Sequence, residues 1–300
     1  MKPIFIFNPS SGRARNPAAA LAELRAAVER WFPGSPVEVT ARPGHAEELS
    51  RRAQADGCGL VVAVGGDGTA NEVARPLIGG KAVFGLVPRG SGNGLARHLG
   101  FPLRISAAVA ALASGSDRVI DTGLANGRPF LNVAGIGLDA DVAERMAALS
   151  RRGAWPYFKI SAAAAWNGRP FACGMSGEDW EKTQKVWLVA VANSDQWGNN
   201  ARVAPGARVD DGLLDLVAVG AVSRWRAPAL ALRLFAGGFD RHPRVFHRRG
   251  GSFRISRSGG GVFHTDGEVW PGSSEWVVQS VPRSLRVRAP AGNPSVVTRW

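Results

Sequence analysis

The sequence predicts an α/β domain followed by an antiparallel β domain, and three observations predict it. Over roughly the first third of the chain, continuous apolar runs alternate with glycine-rich or polar loops and helical stretches, the pattern of a parallel sheet covered on both faces. Beyond about residue 118 the texture changes to short strand candidates separated by Gly, Pro and Asp turns, as in a β-sandwich. The chain has 300 residues, and single cores stop growing beyond about 250 residues, so two domains are expected.

Ile4–Phe7 is the first strand, and Asn8-Pro9-Ser10-Ser11-Gly12 is the loop that leaves it. Asn16 and Pro17 start a helix reaching about Trp31, because asparagine caps orphan amides and proline presets φ at the first helical position. Val37–Thr40 is a second strand, His45–Ala55 a helix, and Leu60–Val64 a third strand that runs into GGDGT. Thr69 is expected to cap a helix starting near Ala70. Phe84–Val87 is the fourth strand; it feeds PRGSGN, residues 88–93, and a short helix near Leu95–Leu99. In the second domain FLNVAGIGLDA, VWLVAVANS, GLLDLVAVG, GSFRISRS and EWVVQSVPRSLRVRA supply strands, with helices expected over about 140–149 and 224–235. NPSVVTRW reads as a loose tail.

In a parallel sheet, ligands bind outside the carboxyl ends of the strands, where all three loops would lie. Bare glycine backbone lets N–H groups approach an oxygen-rich ligand, and the following helix N-terminus adds partial positive charge. Gly65, Gly66 and Gly68 therefore form a candidate phosphate cradle, with a plain tight turn as the alternative. Asp67 bears on that choice. A carboxylate among phosphate-binding amides repels the ligand unless a divalent cation bridges the two or the carboxylate handles a proton, and phosphoryl transfer requires both functions. Asn71 and Glu72 either hold this loop or face solvent. GxxxxGK[ST], the HRD and DFG segments of protein kinases, and a GxGxxG after the first strand are all missing.

Lys and Arg number 37 against 24 Asp and Glu, a formal charge of +13 that favours polyanions. The arginines are scattered in ones and twos, and no recognition helix or aromatic RNA motif is present, so nucleic acid is not an expected partner. Cys58 and Cys173 form no metal or disulfide pattern, consistent with a reducing cytoplasm. The apolar run Ile4–Phe7 is too short for a signal peptide, so any membrane contact is expected to be peripheral. Ten tryptophans against one tyrosine include Trp155, Trp197 and Trp225 in the second domain, and Trp155 adjoins Tyr157 and Phe158; indole suits a membrane interface as well as a core.

VGGDGTANE, with NPSSG near the N-terminus, PRGSGNGLAR after it and HTDGE at residues 264–268, resembles the diacylglycerol kinase catalytic family in motif content and order. That family includes bacterial soluble lipid kinases, sphingosine kinases and ceramide kinases. The resemblance implies an N-terminal three-layer α/β nucleotide domain like that of NAD kinase and phosphofructokinase, a C-terminal antiparallel β-sandwich, and ATP at their cleft. It also implies that the chain end returns to the first domain, giving domains of 1–118 with 285–300 and 119–284. The implied reaction moves the γ-phosphoryl group of ATP, with Mg2+, to a lipid hydroxyl. Asn8, Pro9, Ser10, Ser11 and Gly12 would contact the nucleotide, Thr40 would lie at the second strand end, and Gly65, Gly66, Asp67, Gly68, Thr69, Asn71 and Glu72 would hold the phosphates. Ser91 would hydrogen-bond there and Asn93 would support its loop.

HTDGE supplies two acid–base candidates, Asp266 and Glu268, because a DG turn projects both to one loop edge; Asp67 could share the role through bound magnesium. APGARVDDGLLDLV resembles the segment that builds a second magnesium site, here from the Arg208 and Leu213 carbonyls and the Asp211 side chain, with a DDG turn as the alternative. Gly94 stands where the commonest bacterial form has an aspartate, and Ser91 where it has threonine, so the acceptor is open between a diacylglycerol and a sphingoid-like lipid. Expected partners are a lipid substrate and, peripherally, the inner face of the membrane from the cytoplasm, with a homodimer allowed. The alternatives are a nucleotide-binding regulatory module without turnover and an NAD kinase-like enzyme; the second is disfavoured because Asn71-Glu72 follows GGDGT immediately.

Overall fold

Apolar runs that bury both faces of a strand decide the first unit. A computed structural model describes residues 3–12, 16–147, 169–223 and 225–291. The aromatic run at 155–158 and the tail 293–300 lie outside the described residues. β1 (Pro3–Phe7), β2 (Val37–Val39), β3 (Leu60–Gly65) and β4 (Val83–Pro88) alternate with α1 (Pro17–Trp31), α2 (His45–Ala55) and α3 (Asp67–Ala74). All six residues of β3 and of β4 are buried, as a parallel sheet sandwiched between helices requires. The pairings β1–β2, β1–β3 and β3–β4 are all parallel. Asn16 caps α1 by accepting the Ala19 N–H at 3.1 Å. After β4 come α4 (Gly94–His98) and α5 (Ile105–Ser114). The sequence reading passed over α5. Its alanine-rich run buries Ile105, Ala108, Val109 and Leu112, and it packs on α1 and β4.

Two local expectations change. Helix α3 begins at Asp67 with Gly66 as its N-cap, so Thr69 lies inside the helix and is not a cap. The expected helix at about 224–235 runs instead from Ala227 to Ala236.

β5 (Ser116–Ala125) leads out of the first unit into the second, which contains β6 (Arg128–Phe130), β7 (Val133–Gly137), α6 (Leu138–Ala147), β8 (Phe171–Ser176), β9 (Glu181–Ala192), β10 (Gln196–Gly198), β11 (Ala201–Arg202), β12 (Leu214–Gly220), α7 (Ala227–Ala236), β13 (Val245–Gly250), β14 (Ser252–Arg257), β15 (Val262–Thr265) and β16 (Glu268–Pro271), and β17 (Glu275–Ala289) leads back. β9 is the central strand: β12 pairs along one edge, while β8 and then β7 pair along the other, all antiparallel. Its side chains alternate between two cores. Val189 and Val191 face a cluster with Phe130, Phe253 and Trp276, whereas Leu188 and Ala190 face a second cluster with Val217, Val219 and Leu230 of α7. Period-two alternation with both faces covered is why VWLVAVA reads as one apolar run.

The chain crosses between units at Ile120/Asp121 and returns at Pro282/Arg283, against the 118/119 and 284/285 read from sequence. On its return, Val287 of β17 pairs in parallel with Phe84 of β4. The first unit's sheet therefore has the order β17-β4-β3-β1-β2. Among the described residues, no helix is long and apolar enough to cross a membrane.

Candidate active site

Three loops meet at the carboxyl edge of the parallel sheet, and side chains from each tie down the others. After β1, Asn8 turns its amide nitrogen to the Thr69 hydroxyl at 2.9 Å and accepts the Ser10 N–H at 2.9 Å. The Ser11 hydroxyl lies 3.2 Å from Thr69 Oγ1 and accepts the Gly66 N–H at 3.4 Å. Thr40 is buried beside this loop, its N–H donating to Phe7 O at 2.9 Å. After β4, Arg89 swings back under the first loop, where Nη1 donates to the carbonyls of Asn8 at 3.0 Å and of Ser11. Its guanidinium stacks on Phe7 at 5.0 Å. Burial lowers the Arg89 pKa, but an arginine remains charged. Nη2 of Arg89 is buried without a hydrogen-bond partner.

Asp67 organises the junction. Its Oδ2 accepts the Asn93 N–H and its Oδ1 accepts the Gly94 N–H, both at 2.8 Å. These amides open α4, so a carboxylate of one loop caps the helix of another. Asn93, at φ +53°, closes its own loop by accepting the Gly90 N–H at 2.7 Å and donating to Gly90 O at 2.8 Å. Ser91 sits half-buried between them. Asn71, expected to hold the loop or face solvent, is buried and accepts from Arg75 Nε at 2.6 Å, which anchors α3 internally. Glu72 is half-buried on the same helix.

The glycines divide into two groups. A Cβ on Gly90 would lie 2.5 Å from Gly66 Cα, so these two residues are bare because the loops touch backbone to backbone. A Cβ on Gly65 would lie 2.5 Å from the Thr69 side chain. Only Gly68 of the motif is exposed and would meet nothing within 4 Å. Much of the bare backbone therefore brings the loops together, and the open position is Gly68 in the first turn of α3.

In the second unit the HTDGE hairpin joins β15 to β16. Asp266, at φ +50°, turns its carboxylate back on the chain: Oδ2 accepts the Leu131 N–H at 2.7 Å, and Oδ1 accepts those of Asn132 at 2.9 Å and Val133 at 3.0 Å. The expectation that the DG turn projects both carboxylates to one edge is thus corrected. Asp266 points into the segment before β7, while Glu268 stands half-buried on β16. That segment is held from beneath by Asn193, whose amide donates to Leu131 O at 2.8 Å and to Asp121 O at 2.9 Å.

Asp139 is a neighbour that the sequence reading missed. Its Oδ2 lies 2.9 Å from Nε2 of the buried His264, and in the neutral ring Nδ1 accepts the Gly267 N–H at 3.3 Å, a contact that protonation of the imidazole gives up. Burial works to lower the His264 pKa, but the charge and hydrogen bond of Asp139, with the charge of Asp266 beyond, outweigh it and raise the value. Gly135 makes room for the pair, since a Cβ there would sit 2.5 Å from Asp139 Oδ2 and 2.9 Å from His264 Nε2. A glycine opposite a histidine across a β-pair is the signal that sequence alone offered.

The residues named for a second magnesium site form a tight ionic cluster. Asp211 binds Arg249 through Oδ2 and accepts the Leu213 N–H through Oδ1 at 3.1 Å. The Arg208 side chain grips Asp210, and Asp215 lies 2.6 Å from His247 and 3.5 Å from Arg249. As arranged, this is one carboxylate already neutralised by a guanidinium, and a hard dication would have to displace Arg249 to reach it. The set does not fit Mg2+ in this arrangement.

With this geometry in place, comparison with known proteins decides the family. Residues 2–125 match the model of the diacylglycerol kinase catalytic domain, and residues 132–289 that of the YegS C-terminal NAD kinase beta sandwich-like domain. The chain belongs to the YegS-like diacylglycerol kinase family. A probable lipid kinase YegS-like from Pseudomonas aeruginosa (strain UCBPP-PA14) is 32% identical over 268 residues, 86% of this chain and 85% of that protein. One of the same description from Chromohalobacter salexigens is 32% identical over 211 residues, 67% of this chain and 68% of its own. A crystal structure of a putative diacylglycerol kinase from Bacillus anthracis superposes with a TM-score of 0.80 at 24% identity, covering 99% of this chain and 98% of its own. At that identity the likeness shows the fold. An NAD kinase from Archaeoglobus fulgidus shares the fold more distantly, with a TM-score of 0.55 and 12% identity over 97% of this chain and 94% of its own. The family is one of phosphotransferases.

Proposed function

We propose that the protein is an ATP-dependent lipid kinase that transfers the γ-phosphoryl group of ATP to a lipid hydroxyl. One observation carries the proposal: three loops locked together by Asp67, Asn93 and Arg89 leave Gly68, in the first turn of α3, exposed and bare, while the Arg89 guanidinium that holds the first loop keeps one buried nitrogen without a hydrogen-bond partner. That edge suits a triphosphate. Helix N-terminal amides and a fixed guanidinium present positive potential, and a Cβ at Gly68 would meet nothing within 4 Å. Residues Asn8–Gly12, Gly66–Thr69 and Arg89–Asn93 would cradle the phosphates. Magnesium bound with the nucleotide supplies charge neutralisation at the oxygens that gain charge.

Glu268 takes the proton of the acceptor hydroxyl as the new P–O bond forms and the bond between the γ-phosphorus and its bridging oxygen breaks, releasing ADP. Asp266 is unsuited to that task because its oxygens are committed to three amide protons; it positions the turn that carries Glu268. Asp67 is likewise a positioning residue, since both of its oxygens accept loop amides.

The test is incubation with γ-labelled ATP, magnesium and, in parallel, diacylglycerol, a sphingoid base, ceramide or a polyprenol. Label in a chloroform-soluble product supports the kinase and selects the acceptor. Tight ATP binding with no transfer to any lipid overturns the proposal in favour of a nucleotide-binding module.

A further inference from the structure

Helix α7 carries an apolar stripe that stands exposed to solvent. On one side Leu230 is buried in the second core of the β unit, and Leu234 packs against the same cluster. On the other side Leu232 is 67% exposed and Phe235 is 60% exposed, and Trp225 in the turn just before the helix is 80% exposed. With Pro228, also exposed, these fall at i, i+3, i+7 and i+10, one stripe of a 3.6-residue helix. These three are the most exposed large apolar side chains described in the protein. Burial of the inward face explains Leu230 and Leu234 but not an outward Trp, Leu and Phe in register.

The surrounding charge identifies the occupant. Arg226 at the N-cap, Arg233 on the helix, and Arg241 and Arg244 in the chain that leaves it are all exposed, and Asp240 is the only acidic residue between positions 221 and 244. Aromatic and leucine side chains flanked by arginine match the interface of an anionic bilayer, where the apolar stripe enters the acyl boundary and the guanidinium groups meet lipid phosphates. A second copy of the chain is the poorer match, because it would bring the same uncompensated arginines, in a molecule of net charge +13, against their own kind. We propose that α7, with Trp225, is a docking surface for an anionic membrane face, laid flat on the interface and not inserted across it.

The experiment is co-sedimentation of the full chain, without nucleotide, with vesicles of phosphatidylcholine alone or mixed with phosphatidylglycerol. Binding is read without turnover, so its outcome is separate from that of the kinase proposal. The protein should sediment with the mixed vesicles and dissociate in high salt. Leu232→Glu/Phe235→Glu should weaken partition at least about tenfold at unchanged melting temperature, as loss of two interfacial anchors requires. Arg226→Gln/Arg233→Gln should weaken binding to mixed vesicles only. The proposal is overturned if the wild type stays in the supernatant, or if the Leu232/Phe235 variant binds as well as the wild type. It is equally overturned if the wild type is a dimer that this variant converts to a monomer while neither binds vesicles.

Discussion

The loop edge of the first unit and the β15–β16 hairpin of the second use the same device over different ranges. In the first, Asp67 accepts two amides that lie 26 and 27 residues away, so one turn of a parallel sheet fastens its neighbour. In the second, Asp266 accepts three amides 133 to 135 residues away, pinning a hairpin to the entry of a distant strand. The two aspartates also differ in company. Asp67 lies in a loop edge rich in glycine and held by Arg89, whereas Asp266 has a buried His264–Asp139 pair behind it and Glu268 two residues on. A carboxylate in a conspicuous motif can therefore be a fastener, which leaves the plainer neighbour on the same hairpin, Glu268, for the proton transfer proposed above.

Replacing the two hairpin carboxylates should separate these roles most sharply. Glu268→Gln is expected to lower kcat by about 10² to 10⁴, the usual worth of a general base, at unchanged melting temperature. Measured kcat and thermal unfolding together check it, and a variant with wild-type kcat would remove Glu268 from the chemistry. Asp266→Ala should act first on stability. It leaves three amides without their acceptor, at about 1 to 3 kcal/mol for each unsatisfied group that stays buried; chemical denaturation reads the loss. Asp67→Ala is expected to be milder, at about 1 to 2 kcal/mol by the helix-cap scale. Its main effect should be weaker ATP binding in calorimetry, because the two loops lose their register.

The smallest expected effect is on pH dependence, through His264. Its folded pKa is raised, so the stabilisation from its charged pairing with Asp139 is fully present below the ordinary imidazole value of about 6.5 and fades as pH rises through the raised folded value. The gap in melting temperature between wild type and Asp139→Asn should accordingly be wider at acid pH than at alkaline pH. A gap that widens toward alkaline pH would contradict the pairing.

The parts of this molecule that were legible in the sequence are those set by local pattern. Helix α2 follows His45–Ala55, the asparagine–proline start of α1 is a local capping signal, and runs such as LVVAV identify buried strands. The motifs NPSSG, GGDGT and PRGSGN fall where β1, β3 and β4 end. What sequence left obscure depends on partners far along the chain: the amides held by Asp67 and Asp266, the carbonyls gathered by Arg89, and the Arg249 guanidinium that occupies Asp211. Gly66 and Gly90 illustrate the ambiguity, since the same absence of Cβ serves a ligand or another backbone, and only the approach of the two loops decides between them. Helix α5 escaped because an alanine-rich run has a weak amphipathic signal, and its burial against α1 and β4 is a tertiary fact.

The central claim is that the triphosphate lies against residues 66–69 and 89–94 on a platform that Asp67 holds shut. A crystal structure with magnesium and a non-hydrolysable ATP analogue tests it most directly. The account predicts phosphate oxygens on the amides at the start of α3, with Asp67 still bonded to the Asn93 and Gly94 amides. Nucleotide bound away from that edge, or an Asp67 carboxylate that abandons both amides when the ligand enters, would contradict it.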